Sequence, residues 1–441
     1  ICIIKSLALS KLVHLFSSIP NPPEHIFSKL VKLCFNFIWS GKSEKIKRSI
    51  MYNSYENGGF KVPNIKCFCM AQKIIWIKKL LDDQCVAEWK TLFLSTVEKH
   101  GGNYMWLTND VSPIFLKVLN PFWQDVYKIW IATPMTESED PKKEPLFHNN
   151  LIKVNHRSIY YQEWHMKGVM HLNDIIDDHG NFYSWEAFSD TFNIENQSFR
   201  YYSLLHAIPR NWKKRIKEMG NKLTNVTTAK IQKLMQVKKQ SKPFYQELLK
   251  NNTSEPTHTQ EKWSKILNTQ ISKKEWTYYY ILPFQCTTTM KLRFSQMKIL
   301  HRTLPLNKWL YNCNISTTPN CTFCQIHIET IEHFLFECNV SRNIWFRLSD
   351  WLTNLLPHET FDSLNIKEAL FGKKISQMDL ECIKIYCKKY LYNCKINEQT
   401  PNFEHLLQKV KYEIKLEKLY TPDKVFRKKW RREILQALNL H

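Results

Sequence analysis

Three thiols and an imidazole, spaced a few residues apart, are the side chains of this chain best placed to do chemistry. Cys321 and Cys324 are followed by His333 and then Cys338, which reads C-x2-C-x8-H-x4-C. Two thiolates in a C-x2-C knuckle can reach one ion at ~2.3 Å, and an imidazole with a third thiolate completes a tetrahedron, the chemistry of Zn²⁺. Four protein ligands leave no position for water, so such a site is structural and not hydrolytic. Cys313 is the nearby thiol that could replace one ligand. Cys67 and Cys69 lack a completing partner and read as core or half-buried thiols. The competing reading makes all of these ordinary buried thiols beside a surface histidine.

The ligands also constrain the backbone. Ile331, Phe334, Leu335 and Cys338 recur at helical spacing, so a short helix follows the knuckle. On an ideal helix His333 and Cys338 would point about 140° apart. They can share an ion only if the helix ends before Cys338, and Asn339 is the expected stop.

Other chemistry is thin. The nine glycines include no pair spaced for a phosphate-cradling loop, a nucleophile elbow or a dinucleotide fingerprint. Asp82-Asp83 runs into a helical pattern, and Asp177-Asp178 precedes a His179-Gly180-Asn181 turn; neither has a third carboxylate on an upstream strand. A two-metal polymerase site needs carboxylates arranged in that way. No enzyme activity is therefore expected of this chain. Pro422-Asp423 lacks an acidic partner downstream.

The 441 residues carry 63 Lys or Arg against 40 Asp or Glu, a net +23, and 43% are hydrophobic. Such a chain has material for real cores and a charge that favours polyanions. A solvated basic surface or an anionic lipid surface are the competing explanations. No transmembrane run is present, and the opening ICIIKSLALSKLVHLF reads as an amphipathic helix and not as a signal peptide. The expectation is an intracellular protein, cytoplasmic or nuclear, not secreted, with its 13 cysteines reduced and no membrane partner. The initial Ile1 suggests a piece of a longer reading frame.

Periodicity reads as mainly α: a multi-segment helical protein with a small CCHC zinc knuckle-plus-helix module. Residues 1–40 form two helices broken by Pro20, Pro22 and Pro23. Asn57-Gly58-Gly59 marks a hairpin or tight turn, and residues 68–99 are helical again. The polar stretch 136–145 is the best linker, 210–250 is basic, and 251–260 is a second boundary. The division is 1–99, 100–255, 256–357 and 358–441.

Two segments far apart carry a resemblance. One is TTTMKLRFSQMKILHRTLPLNKWL (287–310) followed by CTFCQIHIETIEHFLFECNVSRNIW (321–345). The other is the opening IIKSLALSKLVHLFSSIPNPP with FIWSGK and GGFKVPNI. Together they resemble the C-terminal region of LINE-type non-LTR retrotransposon reverse transcriptases. Matching positions include Lys291, Leu292, Arg293, Gln296, Asn307, Leu310, Glu329, Thr330, Phe336 and Trp345 besides the four ligands. DIIDDHGNFYSWEAFSDTFNI (174–194) is similar to that family's connector, and the tail from Phe371 to Trp430 follows the pattern more loosely. The resemblance implies a thumb-like 1–99, a connector at 100–255, a zinc-binding module at 256–357 and a basic helical tail at 358–441. It also implies an upstream polymerase palm in the same reading frame as a partner.

Candidate contacts to RNA or DNA phosphates fall on two basic helices. Lys291, Arg293, Lys298, His301 and Arg302 lie on the first. The second runs from Asp423 to Leu438, with Phe426, Trp430, Ile434 and Leu438 as a core stripe and Arg427, Lys428, Lys429, Arg431 and Arg432 around it. Trp39, Trp345 and Trp351 read as core and not as base-stacking platforms. The function expected is a nucleic-acid-gripping, non-catalytic part of a reverse transcriptase. The alternative is a structural or protein-interaction module, or a decayed insertion.

Overall fold

A computed structural model describes residues 1–133, 140–219, 229–236, 241–358, 364–373 and 377–440. The described residues are predominantly helical, and the one sheet is a two-residue antiparallel ladder pairing Lys153–Val154 with Arg157–Ser158. The chain divides into two compact units, residues 1–42 with 63–252 and residues 43–62 with 253–441.

In the first unit the opening amphipathic segment is helical, as Ile4–Leu9 in π geometry and then Ser10–Ser18, and Glu24–Ile38 follows the prolines. The central helix is Ile65–Leu81. Asn64 starts it by accepting the Cys67 N–H, which satisfies one of the first turn's orphan donors. Ile65, Cys67, Cys69, Ala71, Ile74, Ile77 and Leu80 are all buried, so several of its faces are covered. Burial is the main force raising the Cys67 and Cys69 thiols to about 11, as expected of core sulfurs. Pro121–Ala132 packs against it, capped by Asn120 and opened by Pro121 at a position that needs no N–H. Residues 136–139 of the expected linker lie outside the described residues. Its second half is packed, with Pro141 and Lys142 buried in a 3-10 turn. Of the basic stretch, Lys238 and Lys239 also lie outside the described residues. Asp177 accepts backbone N–H groups of His179 and Asn181, which makes a surface turn.

The second unit is built on Met378–Ile396, a helix buried on almost every side. Lys273–Cys286 and Phe403–Tyr420 pack against it, as does Met290–Leu300. A reciprocal cap, Ser272 with Glu275, starts the Lys273–Cys286 helix.

The Asn57-Gly58-Gly59 signal resolves as a tight turn at the end of a 3-10 turn, with Gly58 at φ +74°. Gly59 is needed for a different reason. A Cβ there would lie 2.1 Å from the Asn53 carbonyl oxygen, a backbone atom that cannot swing away. Gly59→Ala is therefore expected to destabilise the second unit by about 1–3 kcal/mol or more, as overpacking does. Denaturant unfolding measures this, and an unchanged midpoint would show that the turn relaxes freely.

Candidate metal centre

Cys321, Cys324, His333 and Cys338 converge, their ligand atoms all within 4.8 Å of one another. Cys321 Sγ lies 3.9 Å from Cys338 Sγ, and Cys324 Sγ lies 3.3 Å from His333 Nε2. Tetrahedral zinc at ordinary bond lengths requires edges of roughly 3.8 Å between sulfurs and 3.6 Å from sulfur to nitrogen. The donor set and its dimensions fit a zinc ion. Cys313 is exposed and stands outside the cluster.

Local sequence explains the knuckle. Cys321 N–H donates to the His327 carbonyl and Gln325 N–H to the Cys321 carbonyl, while Gln325 turns the chain at φ +60°. A bridge between Asn320 and Ile328 closes the loop. Phe323 stacks on Phe334, centroids 5.0 Å apart, which lays the knuckle on the following helix. Thr330 Oγ1 accepts the His333 N–H.

The backbone between the last two ligands abandons α geometry. Residues His333–Glu337 form a π turn, and Cys338 N–H donates to the His333 carbonyl at 2.8 Å. Cys338 itself is extended, with φ −58° and ψ 132°. The helix therefore does end before Cys338, as ligand geometry demands. Asn339 is not the stop: it opens the next helix, Asn339–Leu355, and the break falls on the ligand. Two carbonyls near the break find side-chain partners, Phe334 from Ser341 Oγ and Leu335 from Trp345 Nε1. Trp345 is thus buried with a structural duty, and Trp39 and Trp351 are half-buried.

The electrostatics call for a cation. Burial pushes the Cys321 thiol up to about 12. Burial works against the Cys324 thiolate too, but the backbone at His327 and Ile326 and the imidazoles of His327 and His333 bring it down to about 5. A divalent ion is the group that makes three sulfurs and an imidazole compatible in so small a volume.

A second set of residues holds the knuckle from outside. The Glu329 side chain is fully buried. Its carboxylate accepts from Thr322 N–H at 2.6 Å, Thr322 Oγ1 at 2.7 Å and Asn307 N–H at 2.8 Å. Lys395 Nζ stands 2.7 Å from it and also donates to Asn307 Oδ1 and Thr322 Oγ1. Thr322 sits between the first two ligands, so this network fixes their loop. Asn307 and Glu329 were part of the family resemblance, but nothing local in the sequence points to Lys395.

The proposed phosphate contacts separate into two groups. His301 is turned inward: it is 5% exposed, stacks on Tyr280 and lies 2.8 Å from the Gly58 carbonyl. A carbonyl only accepts, so Nε2 carries the proton. Arg302 pairs with Glu332 and lies 4.2 Å over the Trp263 ring. The Arg293 guanidinium donates to the Thr287 and Phe284 carbonyls at the end of the preceding helix. Lys429 pairs with Glu417, and Arg431 pairs with Asp379, whose side chain is fully buried. These five are committed inside the fold, because an interior carboxylate or carbonyl must find a donor. Lys291, Arg427, Lys428 and Arg432 are exposed, and Lys298 is half-buried.

The helix expected from Asp423 to Leu438 is also two helices, Asp423–Lys429 and Arg432–Ala437, with Trp430 and Arg431 extended between them. The break lets Arg431 reach Asp379 through both backbone N–H and guanidinium, and Trp430 Nε1 reach Glu417. The apolar stripe survives: Phe426, Trp430, Ile434 and Leu438 are all buried.

Two measurements test this description. Glu329→Gln leaves Lys395 buried beside a neutral amide. It should cost about 3–5 kcal/mol of stability and weaken zinc affinity by about 10- to 100-fold, read by competition with a chromogenic chelator. Parental affinity would detach the network from the metal. His301 provides a pH test. Burial holds its imidazole down at about 4. The unfolded chain takes up the proton first, so stability rises with pH between about 4 and 6.5, and acidification through that window removes it. The loss is about 3 kcal/mol. His301→Gln should flatten that part of the pH–stability curve; curves that stay parallel would refute the assignment.

Comparison with known families agrees with this geometry. Residues 241–345 match the family model described as zinc-binding in reverse transcriptase, and all four converging donors lie within the match. The match supports a zinc-binding region of the reverse-transcriptase type in this segment.

Proposed function

We propose that this chain is the C-terminal, nucleic-acid-gripping part of a LINE-type non-LTR retrotransposon reverse transcriptase, in which a structural Zn²⁺ organises the module and copying belongs to an upstream polymerase palm. The observation that carries the reading is the convergence of Cys321, Cys324, His333 and Cys338 inside the segment that matches the family. The thumb-like 1–99, the connector 100–255, the module 256–357 and the basic tail 358–441 belong to the same proposal.

Zinc acts here as a fold element. It draws the knuckle onto the π turn and thereby directs the Asn339–Leu355 helix. The remaining outward cations, Lys291 and Lys298 on one side and Arg427, Lys428 and Arg432 on the tail, contact RNA or DNA phosphates. The first aspartate of each pair serves a backbone turn: Asp82 accepts the Gln84 N–H, and Asp177 those of His179 and Asn181. Among the described residues, no helix is long and apolar enough to cross a membrane.

The test is competition on the full chain, with and without zinc. Generic RNA or duplex DNA should displace a labelled strand, polyglutamate should not, and log affinity should fall linearly with log salt. Chelation should melt residues ~285–350 and weaken binding. Unchanged helicity and affinity in the zinc-free chain would overturn the role given to the metal. Displacement by polyglutamate alone would favour an acidic protein partner.

A further inference from the structure

A groove of about 740 Å³ opens in the second unit, between Met290–Leu300, Met378–Ile396 and Phe403–Tyr420. Lys291, Lys389 and Lys409 line it, one from each helix. Among the described residues, none of the three has a carboxylate within 4 Å. This contrasts with Lys395 and Lys429 of the same unit, which are paired. Glu413 also lines the groove, a single acid against three lysines. Lys389 is half-buried, and its ammonium is held below the ordinary lysine range by that burial and by the like charges of Lys298 and Lys291. Three like charges against one acid leave an excess of positive charge that costs stability, and an anion seated among them would relieve that cost.

The same groove presents aromatic surface. Tyr412 is 53% exposed, and Lys409 Nζ lies 4.8 Å from its ring centroid. Cations beside an exposed ring form the pair of features on which single strands bind: phosphates track the charge and bases stack on the ring. The ring also discriminates: the bases of a duplex are paired and stacked on one another, so only an unpaired strand offers a base to stack on Tyr412.

We propose that this groove binds single-stranded nucleic acid, with Lys291, Lys389 and Lys409 on successive phosphates and Tyr412 stacking a base. This rests on the nucleic-acid reading above and names where the strand lies. It differs from the earlier expectation in using Lys389 and Lys409, which sequence reasoning did not select.

The probe is a labelled strand of roughly a dozen uridines, titrated into the zinc-loaded full chain at several salt concentrations. Neutralising three phosphate contacts in K291Q/K389Q/K409Q should lower the salt slope by about 2 and weaken binding at least tenfold. Tyr412→Ala should weaken it by about tenfold with the slope unchanged. Lys291, Lys409 and Tyr412 are exposed, so K291Q/K409Q and Y412A provide variants that fold even if the half-buried Lys389 does not tolerate change. The comparison variant is R427Q/K428Q/R432Q on the tail. Loss confined to the tail variant would overturn the groove and leave nucleic-acid binding standing. A parent chain that binds no strand would overturn both. Duplex bound more tightly than single strand, with equal loss in the groove variants, would overturn the single-strand assignment.

Discussion

Two ligands five residues apart must face one point, and an α-helix cannot do that. This constraint shapes the module. His333 and Cys338 meet because the backbone widens to a π turn, closing a hydrogen bond from Cys338 N–H to the His333 carbonyl, and then breaks at Cys338. The widening leaves carbonyls that ordinary helix would have satisfied, and Ser341 and Trp345 supply the donors. The next helix, Asn339–Leu355, therefore leaves in a direction set by the ligand and its supporting residues. π turns inside helices are rare and concentrate at functional sites, because they cost backbone energy that something else must offset.

A second constraint is the burial of charge on Met378–Ile396. Asp379, Glu381, Lys384 and Lys388 are all buried there. Each has a partner: Asp379 has Arg431, Glu381 has Lys384, and Lys388 donates to the Leu370 carbonyl. Lacking a direct carboxylate contact, Lys388 is driven by burial down to about 7. Lys395, near the end of the helix, reaches Glu329 beneath the knuckle. Buried pairs add little net stability over apolar residues of the same volume, yet removing one partner is expensive. Their effect is to select partners. Glu381–Lys384 lies within the helix, and the other three commitments reach the tail, Leu370 and the metal module, holding the helix in one register against them.

What could be read in the sequence was local. The helical repeats of residues 1–40, the turn at Gly58 and the ligand spacing all lie within a few residues of the features they specify. The helical run expected over 68–99 is in fact two helices, Ile65–Leu81 and Glu88–Val97, parted where Asp82 turns extended. The requirement for a break before Cys338 also followed, since it needs only helix geometry and a shared ion. Placing that break at Asn339 failed because the break falls on the ligand itself: Cys338 is the N-cap of the next helix and Asn339 its first residue. The continuous helix from Asp423 to Leu438 failed for a different reason. Its four-residue stripe is genuine, but Arg431 is drawn out of helical geometry by Asp379, 52 residues away. Lys395 serves a threonine 73 residues upstream. No window of local pattern contains such pairings.

The misplaced cations do not weaken the charge argument that nominated a polyanionic partner. Arg302, Lys395, Lys429 and Arg431 are held by Glu332, Glu329, Glu417 and Asp379. Each pair is neutral, so withdrawing it from the surface removes one positive and one negative charge together and leaves the net +23 unchanged. Fewer carboxylates then remain outside to offset the exposed lysines and arginines. His301, neutral and buried, was never part of that total. Lys73 and Lys388, which turn to backbone carbonyls, subtract only slightly. Internal pairing therefore changes which cationic residues stand exposed while leaving the net charge as it was.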